Sequence, residues 1–196
     1  MPYPDSSLVA ASLNGDVQAF ARLYETYANR IYRYHYYRTF HAETAEDLTS
    51  QTFMQALEHL PRYDEDKGTF SAWLYTIARN LLIDHIRIHR RQVDIEDGWD
   101  LLQDTRSSGK TIEQRDLLER IEKHLHTLSP EQREILILRF WDERPYAEIA
   151  TILHKSEAAC KMSASRALTE LRKHAPLALI LLMLIPFSPT YVFPSS

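Results

Sequence analysis

The stretch Leu128–Arg172, LSPEQREILILRFWDERPYAEIATILHKSEAACKMSASRALTELR, decides how the chain folds. Ser129 is placed to cap a helix, Pro130 suits its first position, and Gln132 stands where a capping box needs its third residue. Ile135, Leu136, Leu138 and Arg139 carry that helix to Phe140 and Trp141. Asp142-Glu143-Arg144-Pro145 breaks it, and a short helix with Tyr146, Ile149, Ala150 and Leu153 follows. After a tight turn at His154-Lys155, Ser156 caps a last helix that runs to Arg172. Two helices joined by three or four residues, the second opening with small polar residues, form a helix-turn-helix. That device lays a helix end in the DNA major groove, so nucleic acid is the first partner to consider.

Composition narrows the rest. A chain of 196 residues makes one or two modest domains with ordinary cores. Its four glycines, Gly15, Gly68, Gly98 and Gly109, each fall between periodic segments. No segment alternates apolar and polar residues between hairpin turns, and the chain reads as all-α. Cys160 is the single cysteine, which excludes an internal disulfide framework and a cysteine-based zinc site. Met1-Pro2-Tyr3-Pro4-Asp5 lacks the basic and apolar stretches of a signal peptide, and a reducing, cytoplasmic setting is expected.

The net charge of -4 argues against a general nucleic-acid coat protein, but charge is locally sorted. Between Tyr75 and Arg91, Arg79, Arg87, Arg90 and Arg91 oppose only Asp84. The next stretch reverses sign, with Asp94, Glu96, Asp97, Asp100 and Asp104 against Arg106 and Lys110.

Two helical blocks flank this acidic stretch. Block one, residues 6–91, opens with a long helix striped by Phe20, Leu23, Tyr24, Tyr27, Ile31 and Tyr34. A second helix, Ala42 to Leu60, carries Ala45, Leu48, Thr52, Ala56 and Leu60 on one face and ends at Pro61. A polar loop from Arg62 to Thr69 leads to a third helix, capped by Ser71, with the stripe Trp73, Leu74, Ile77, Ala78, Leu81 and Ile88. Residues 92–111 show no period and cannot bury enough apolar surface to order themselves, so a flexible acidic linker is expected. Block two, residues 112–174, places Leu117, Leu118, Ile121, Leu125 and Leu128 ahead of the helix-turn-helix. An apolar tail occupies residues 175–196.

Several strings in this order resemble the extracytoplasmic-function (ECF) group of bacterial sigma factors in the sigma-70 family. They are Ala45-Glu46-Asp47-Leu48-Thr49-Ser50-Gln51-Thr52-Phe53, Phe70-Ser71-Ala72-Trp73-Leu74-Tyr75-Thr76-Ile77-Ala78-Arg79-Asn80, Leu128-Ser129-Pro130-Glu131-Gln132-Arg133-Glu134-Ile135-Leu136 and Tyr146-Ala147-Glu148-Ile149-Ala150. Together they extend the likeness from about Ser12 to Lys173. The resemblance implies that block one is sigma region two and block two sigma region four. It implies a non-enzymatic, dissociable subunit that gives core RNA polymerase its promoter specificity. It also implies an anti-sigma partner and neither a cofactor nor a small-molecule substrate.

The residues can be read against that expectation. Glu46, Asp47, Gln51 and Gln55 lie opposite the apolar stripe of the second helix. An ordinary solvated face would look the same, and the resemblance is what implies docking on polymerase there. The loop Tyr63 to Phe70 and the helix after it are where related factors open promoter DNA. Tyr63, Lys67, Phe70 and Asn80 offer the apolar, cationic and hydrogen-bonding groups that an unstacked base needs. Asn80 is the best single candidate, because an amide both donates to and accepts from base edges. Trp73 shares a stripe with Ile77 and Leu81, so core packing is expected of it. Arg79, Arg87, Arg90 and Arg91 are expected to hold phosphate, which positions without reading sequence. The acidic linker reads equally well as a soluble tether or as the segment that threads the polymerase cleft in similar factors.

In region four the resemblance implies upstream-element contacts from Lys155, Ser156, Glu157, Lys161, Ser163, Ser165 and Arg166. The chain departs from its relatives here. His154 stands where glycine is common, and Met162, Ala164 and Ser165 replace positions that are often basic or bulky and polar. Arginine and lysine to guanine are the commonest direct contacts, so weaker or altered reading of the upstream element is expected. Cys160 reads as a small buried hydrophobe. Asp84, His85 and His89 bring two histidines one turn apart but no third metal ligand, and basic surface is the better reading. The unbroken apolar run Ala175–Ile185 is shorter than the roughly 20 residues of a spanning helix. Intrachain packing, contact with a partner or membrane surface, and no role at all remain open for the tail. A stand-alone helix-turn-helix regulator is the competing identity, but it has no need for the polar face around Asp47 and Gln51 or for a basic helix beside a Tyr/Lys/Phe loop.

Overall fold

The computed structural model of the chain describes residues 5–92 and 123–174, with residues 89–92 and 174 described as backbone. Among these residues there is no strand, and the chain divides into two compact helical units. The residues 93–122, which include most of the acidic linker, and the tail 175–196 lie outside the described residues.

Among the described residues the first unit holds four α-helices where three were expected: α1 (Asp5–Leu13), α2 (Val17–Thr39), α3 (Ala42–His59) and α4 (Phe70–Gln92). Gly15, at φ 91°, supplies the left-handed turn between α1 and α2, and Asp16 caps α2 by accepting from the backbone N–H of Gln18 and Ala19. α1 was not expected, because it has little apolar asymmetry of its own. It is tied down by Leu8, Val9 and a hydrogen bond from the Tyr27 hydroxyl to the Asp5 carboxylate.

α2 packs on α1 and α3, and α3 on α4. The shared core is unusually aromatic: Tyr34 and Tyr75 meet edge to face with centroids 5.5 Å apart, among Leu23, Ile31, Leu74 and Leu82. Ala45, Leu48, Thr52, Ala56 and Leu60 of the second stripe are all buried, as their spacing requires. The third stripe is corrected. The buried side of α4 is Phe70, Leu74, Tyr75, Ala78, Leu82 and Ile86, whereas Ile88 is 52% exposed and Trp73, Ile77 and Leu81 are only half-buried. Leu74 and Ala78 are buried as expected, but the neighbouring positions are almost as apolar, so periodicity alone did not separate the buried row from the half-buried one. The cap is corrected too. Thr69 Oγ1 accepts from the Ala72 N–H at 3.2 Å, while Ser71 lies buried inside the first turn.

The second unit contains α5 (Pro130–Leu136), α6 (Tyr146–Leu153) and α7 (Glu157–His174). The reciprocal capping box of Ser129 and Gln132 forms as read, with Pro130 in the first turn. α5 does not run unchanged to Trp141: it widens into a π-turn over Ile137–Trp141. Arg144 N–H then donates to Leu138 O at 2.9 Å and its guanidinium to Glu148 at 3.3 Å, which pins the break before α6. α5 and α6 both pack on α7 through Ile135, Ile149, Ile152, Cys160, Ala164 and Ala167.

Candidate nucleic-acid interface

Three surfaces carry the residues singled out in the sequence. On α3, Glu46, Asp47 and Gln51 are exposed and Gln55 is half-buried. Met54, 71% exposed, and Leu57, 54% exposed, stand among them. Helical spacing puts Asp47, Gln51, Met54 and Glu58 in one row, so this face is amphipathic rather than simply polar. The sequence reading missed its apolar half, although the i, i+3 spacing of Met54 and Leu57 outside the buried stripe was there to be seen.

The second surface is the loop after α3 and the solvent side of α4. The loop is stiffened by two short 3-10 turns, Leu60–Arg62 and Glu65–Lys67. Asp64 caps the second by accepting from the Asp66 N–H, and Lys67 reaches back to Asp64 at 2.7 Å. That bond and the backbone N–H hold the Asp64 carboxyl below its ordinary pKa. The Tyr63 hydroxyl donates to Gly68 O at 3.0 Å, and burial followed by the nearby carboxylates pushes its pKa up.

Tyr63, Phe70 and Trp73 form an aromatic triad with centroids 5.4–5.9 Å apart. Phe70, only 1% exposed, is its floor and also meets Tyr27. The ring of Phe70, expected to face a base, is instead buried beneath Tyr63 and Trp73. Trp73, assigned to the core, is half-buried and forms the outer edge of the triad. Seven residues on, two helical turns, Asn80 is exposed on the same side of α4 as Trp73. Arg87 is exposed and paired with Asp84 at 2.9 Å, Arg79 is half-buried, and the side chains of Arg90 and Arg91 lie outside the described ones. His85 is half-buried, and the described residues contain no cluster of three metal-ligating groups.

The third surface is the helix-turn-helix. His154 adopts φ 54° and ψ 47°, the left-handed conformation a glycine would take without strain. Ser156 Oγ accepts from the Ala159 N–H at 3.2 Å and so caps α7 as expected. Cys160, Ala164, Ala167 and Leu171 bury one side of α7, and burial pushes the Cys160 thiol pKa up. Lys155, Ser156, Glu157, Lys161, Ser165 and Arg166 are exposed on the other side, with Ser163 half-buried at the margin. Lys155 is paired with Glu131 and Lys161 with Glu157, both at 2.6 Å.

A pair the sequence reading passed over sits beside this helix. Arg139 lies 5.2 Å and Lys161 5.8 Å from the centre of the Tyr146 ring, which collects two cations on one half-buried aromatic. Tyr146 opens α6, so its place at the start of the first helix of the motif was the available signal.

The pattern of these elements matches known proteins. Residues 23–92 match the family model Sigma-70 region 2, and residues 118–171 match Sigma-70, region 4. The ECF RNA polymerase sigma factor SigM of Bacillus subtilis is 34% identical over 152 residues, which are 76% of this chain and 91% of SigM. The chain belongs to the ECF group of the sigma-70 family. It is also 36% identical over 171 residues to the ECF RNA polymerase sigma factor BldN of Streptomyces coelicolor, covering 86% of this chain and 65% of BldN. The fold is that of CnrH solved with the cytosolic domain of CnrY, at a TM-score of 0.68 and 23% identity, over 86% of this chain and 95% of that one. RpoE of Bartonella quintana, solved with the anti-sigma factor NepR, gives 0.66 at 24% identity, over 85% and 99% of the chains. No helix among the described residues is long and apolar enough to cross a membrane.

Proposed function

We propose that this ECF-group chain is a sigma factor that binds core RNA polymerase and directs promoter-specific initiation. The first unit engages and opens the downstream promoter element; the second reads the upstream one. The observation that carries the reading is the side of α4 where exposed Asn80 stands two turns from the Tyr63–Phe70–Trp73 triad. An aromatic edge beside an amide and a cation, Lys67, is what a base drawn out of the duplex can stack on and bond to. The exposed row of Asp47, Gln51 and Met54, with Leu57 beside it, gives polymerase a face with both apolar area and acceptors. Arg79, Arg87, Arg90 and Arg91 supply phosphate contacts, and Arg139 with Lys161 around Tyr146 supplies them beside α7.

Two solved structures of the same fold contain an anti-sigma factor or a partner's cytosolic domain, which supports an anti-sigma partner for this chain. No chemistry is assigned to the chain itself, and its place of action is the cytoplasm, where the polymerase is.

The test is run-off transcription with bacterial core polymerase on a promoter library, comparing the full chain with Asn80→Ala. Promoter-specific transcripts that need the protein and weaken in the variant are expected. Absence of core binding together with tight binding to duplex DNA alone would overturn the reading in favour of a stand-alone regulator.

A further inference from the structure

The side of α7 turned away from the core offers its first turns in two parallel rows. Glu157, Lys161 and Ser165 are exposed in one, and Ala158, Met162 and Arg166 in the other. In a helix-turn-helix the N-terminal residues of the second helix reach the base edges. Here the lysines at and before those turns each carry a carboxylate partner. Lys161 is held by Glu157 at 2.6 Å, Lys155 by Glu131 at 2.6 Å, and Arg166 lies further along with its Nη2 3.5 Å from Met162 Sδ. Met162 itself is 53% exposed, and Ala158 stands one turn before it.

We infer that Ala158 and Met162 read thymine methyl groups, so that the upstream element this chain selects is specified by A·T pairs rather than by guanine. The inference rests on the sigma-factor reading above and names the base class for it. In the major groove every pair offers hydrogen-bonding edges, but thymine alone presents a C5 methyl. A methionine thioether and an alanine methyl cannot donate to the O6 and N7 acceptors of guanine, and the thioether is only a weak acceptor for the N4 donor of cytosine. Such a group desolvated against them loses its water and gains at most a weak partner, which disfavours those pairs. Against a thymine methyl the same side chains bury apolar area. Methionine, unbranched and polarizable, adapts to the position of that methyl, and the Arg166 guanidinium lies beside its sulfur on the flank of the helix.

The test uses holoenzyme assembled from the full chain and bacterial core polymerase. Templates randomised over the upstream element are selected for transcription, and each selected thymine is then replaced by deoxyuridine, which lacks only the 5-methyl. A·T pairs should be enriched with thymine on a fixed strand, and each methyl that matters should lower open-complex formation about fourfold when removed. Met162→Ala should abolish the sensitivity at one position and leave the others. Met162→Arg should move the preference there to guanine. An A·T preference that survives uridine substitution, or that is unchanged in Met162→Ala, would mean the DNA is read by its stiffness and groove width, and would overturn the inference. So would transcription with no preference at any upstream position. Absence of transcript from every template would sink the sigma-factor reading and this inference together, whereas the other negative outcomes leave the first intact. Met162 is exposed, so both variants should keep the helical circular dichroism of the parent.

Discussion

His154 provides a prediction whose sign can be worked out from the backbone. It closes α6 with φ 54° and ψ 47°, its N–H on Ala150 and Thr151 and the Lys155 N–H on Ala150 O at 2.9 Å. The side chain is exposed, so the conformation rather than a contact sets its energy. A residue with a Cβ in this region costs about 1–2 kcal/mol, and glycine removes that cost. Glycine also loosens the unfolded chain, which takes back about 0.4–1 kcal/mol. His154→Gly should therefore stabilise the second unit by about 0.5–1 kcal/mol, and His154→Val should destabilise it, since a β-branched residue fits this region worst. Cys160 makes the measurement local: it is the single cysteine, it is 0% exposed, and it lies in the second unit. Its rate of thiol labelling reports opening of that unit whatever the first unit does. With opening fast relative to labelling, the expected gain slows the reaction about two- to fivefold in the glycine variant. Labelling as fast as in the parent, or faster, would refute the strain argument.

Phe70→Ala removes the floor of the aromatic triad and a fully buried ring, so it should cost about 3–5 kcal/mol and lower the urea midpoint by about 1 M or more; a loss below about 1 kcal/mol would show that the ring is not part of the core. Asn80→Ala, by contrast, should change stability by no more than about 0.5 kcal/mol, so that any transcription defect is one of recognition. His35 is held at about 3 by burial first and then by Arg38 and His85, well below the ordinary 6.5, so the unfolded chain takes up the proton before the folded one. Its contribution is complete above pH 6.5 and drains as pH falls toward 3, about 2 kcal/mol of it by pH 5. The stability gap between parent and His35→Gln, measured by urea unfolding, should shift by that amount in favour of the variant between pH 7.5 and pH 5, and a pH-independent gap would contradict it.

What was legible in the sequence followed signals with one physical meaning. Ser129, Pro130 and Gln132 can satisfy the free N–H groups of a helix start in only a few ways, and the capping box formed as read. The all-α class followed from the absence of any apolar–polar alternation, and the α3 stripe of Ala45, Leu48, Thr52, Ala56 and Leu60 was correct because its helical spacing is unbroken. α4 was read only in part, since Leu74 and Ala78 are buried as expected but its two candidate rows are nearly equally apolar. What separates them is Tyr34, which meets Tyr75 from α2, and that contact is tertiary. The same ambiguity hid the half-exposed Trp73, and with it the triad. Thr69 displaced Ser71 as the cap because either hydroxyl suits a helix start and only the loop geometry chooses. The π-turn at Ile137–Trp141 left no mark at all in the pattern, since one extra residue in a turn does not change which residues are apolar.

The charges around α7 bear on how the two units share the work. An exposed ion pair is worth about 0.2–1 kcal/mol, and a hydrogen bond to a charged group about 1.5–3 kcal/mol. A DNA phosphate can therefore draw Lys155 from Glu131 and Lys161 from Glu157. Each exchange, however, leaves a carboxylate on the same surface, and a carboxylate only accepts hydrogen bonds and repels phosphate. The net attraction of the second unit for DNA is thus smaller than its count of lysines suggests, and its salt dependence correspondingly shallow. α4 carries Arg79, Arg87, Arg90 and Arg91, and the exposed Arg87 is paired with Asp84. In this reading the second unit contributes discrimination through uncharged contacts, which salt does not weaken.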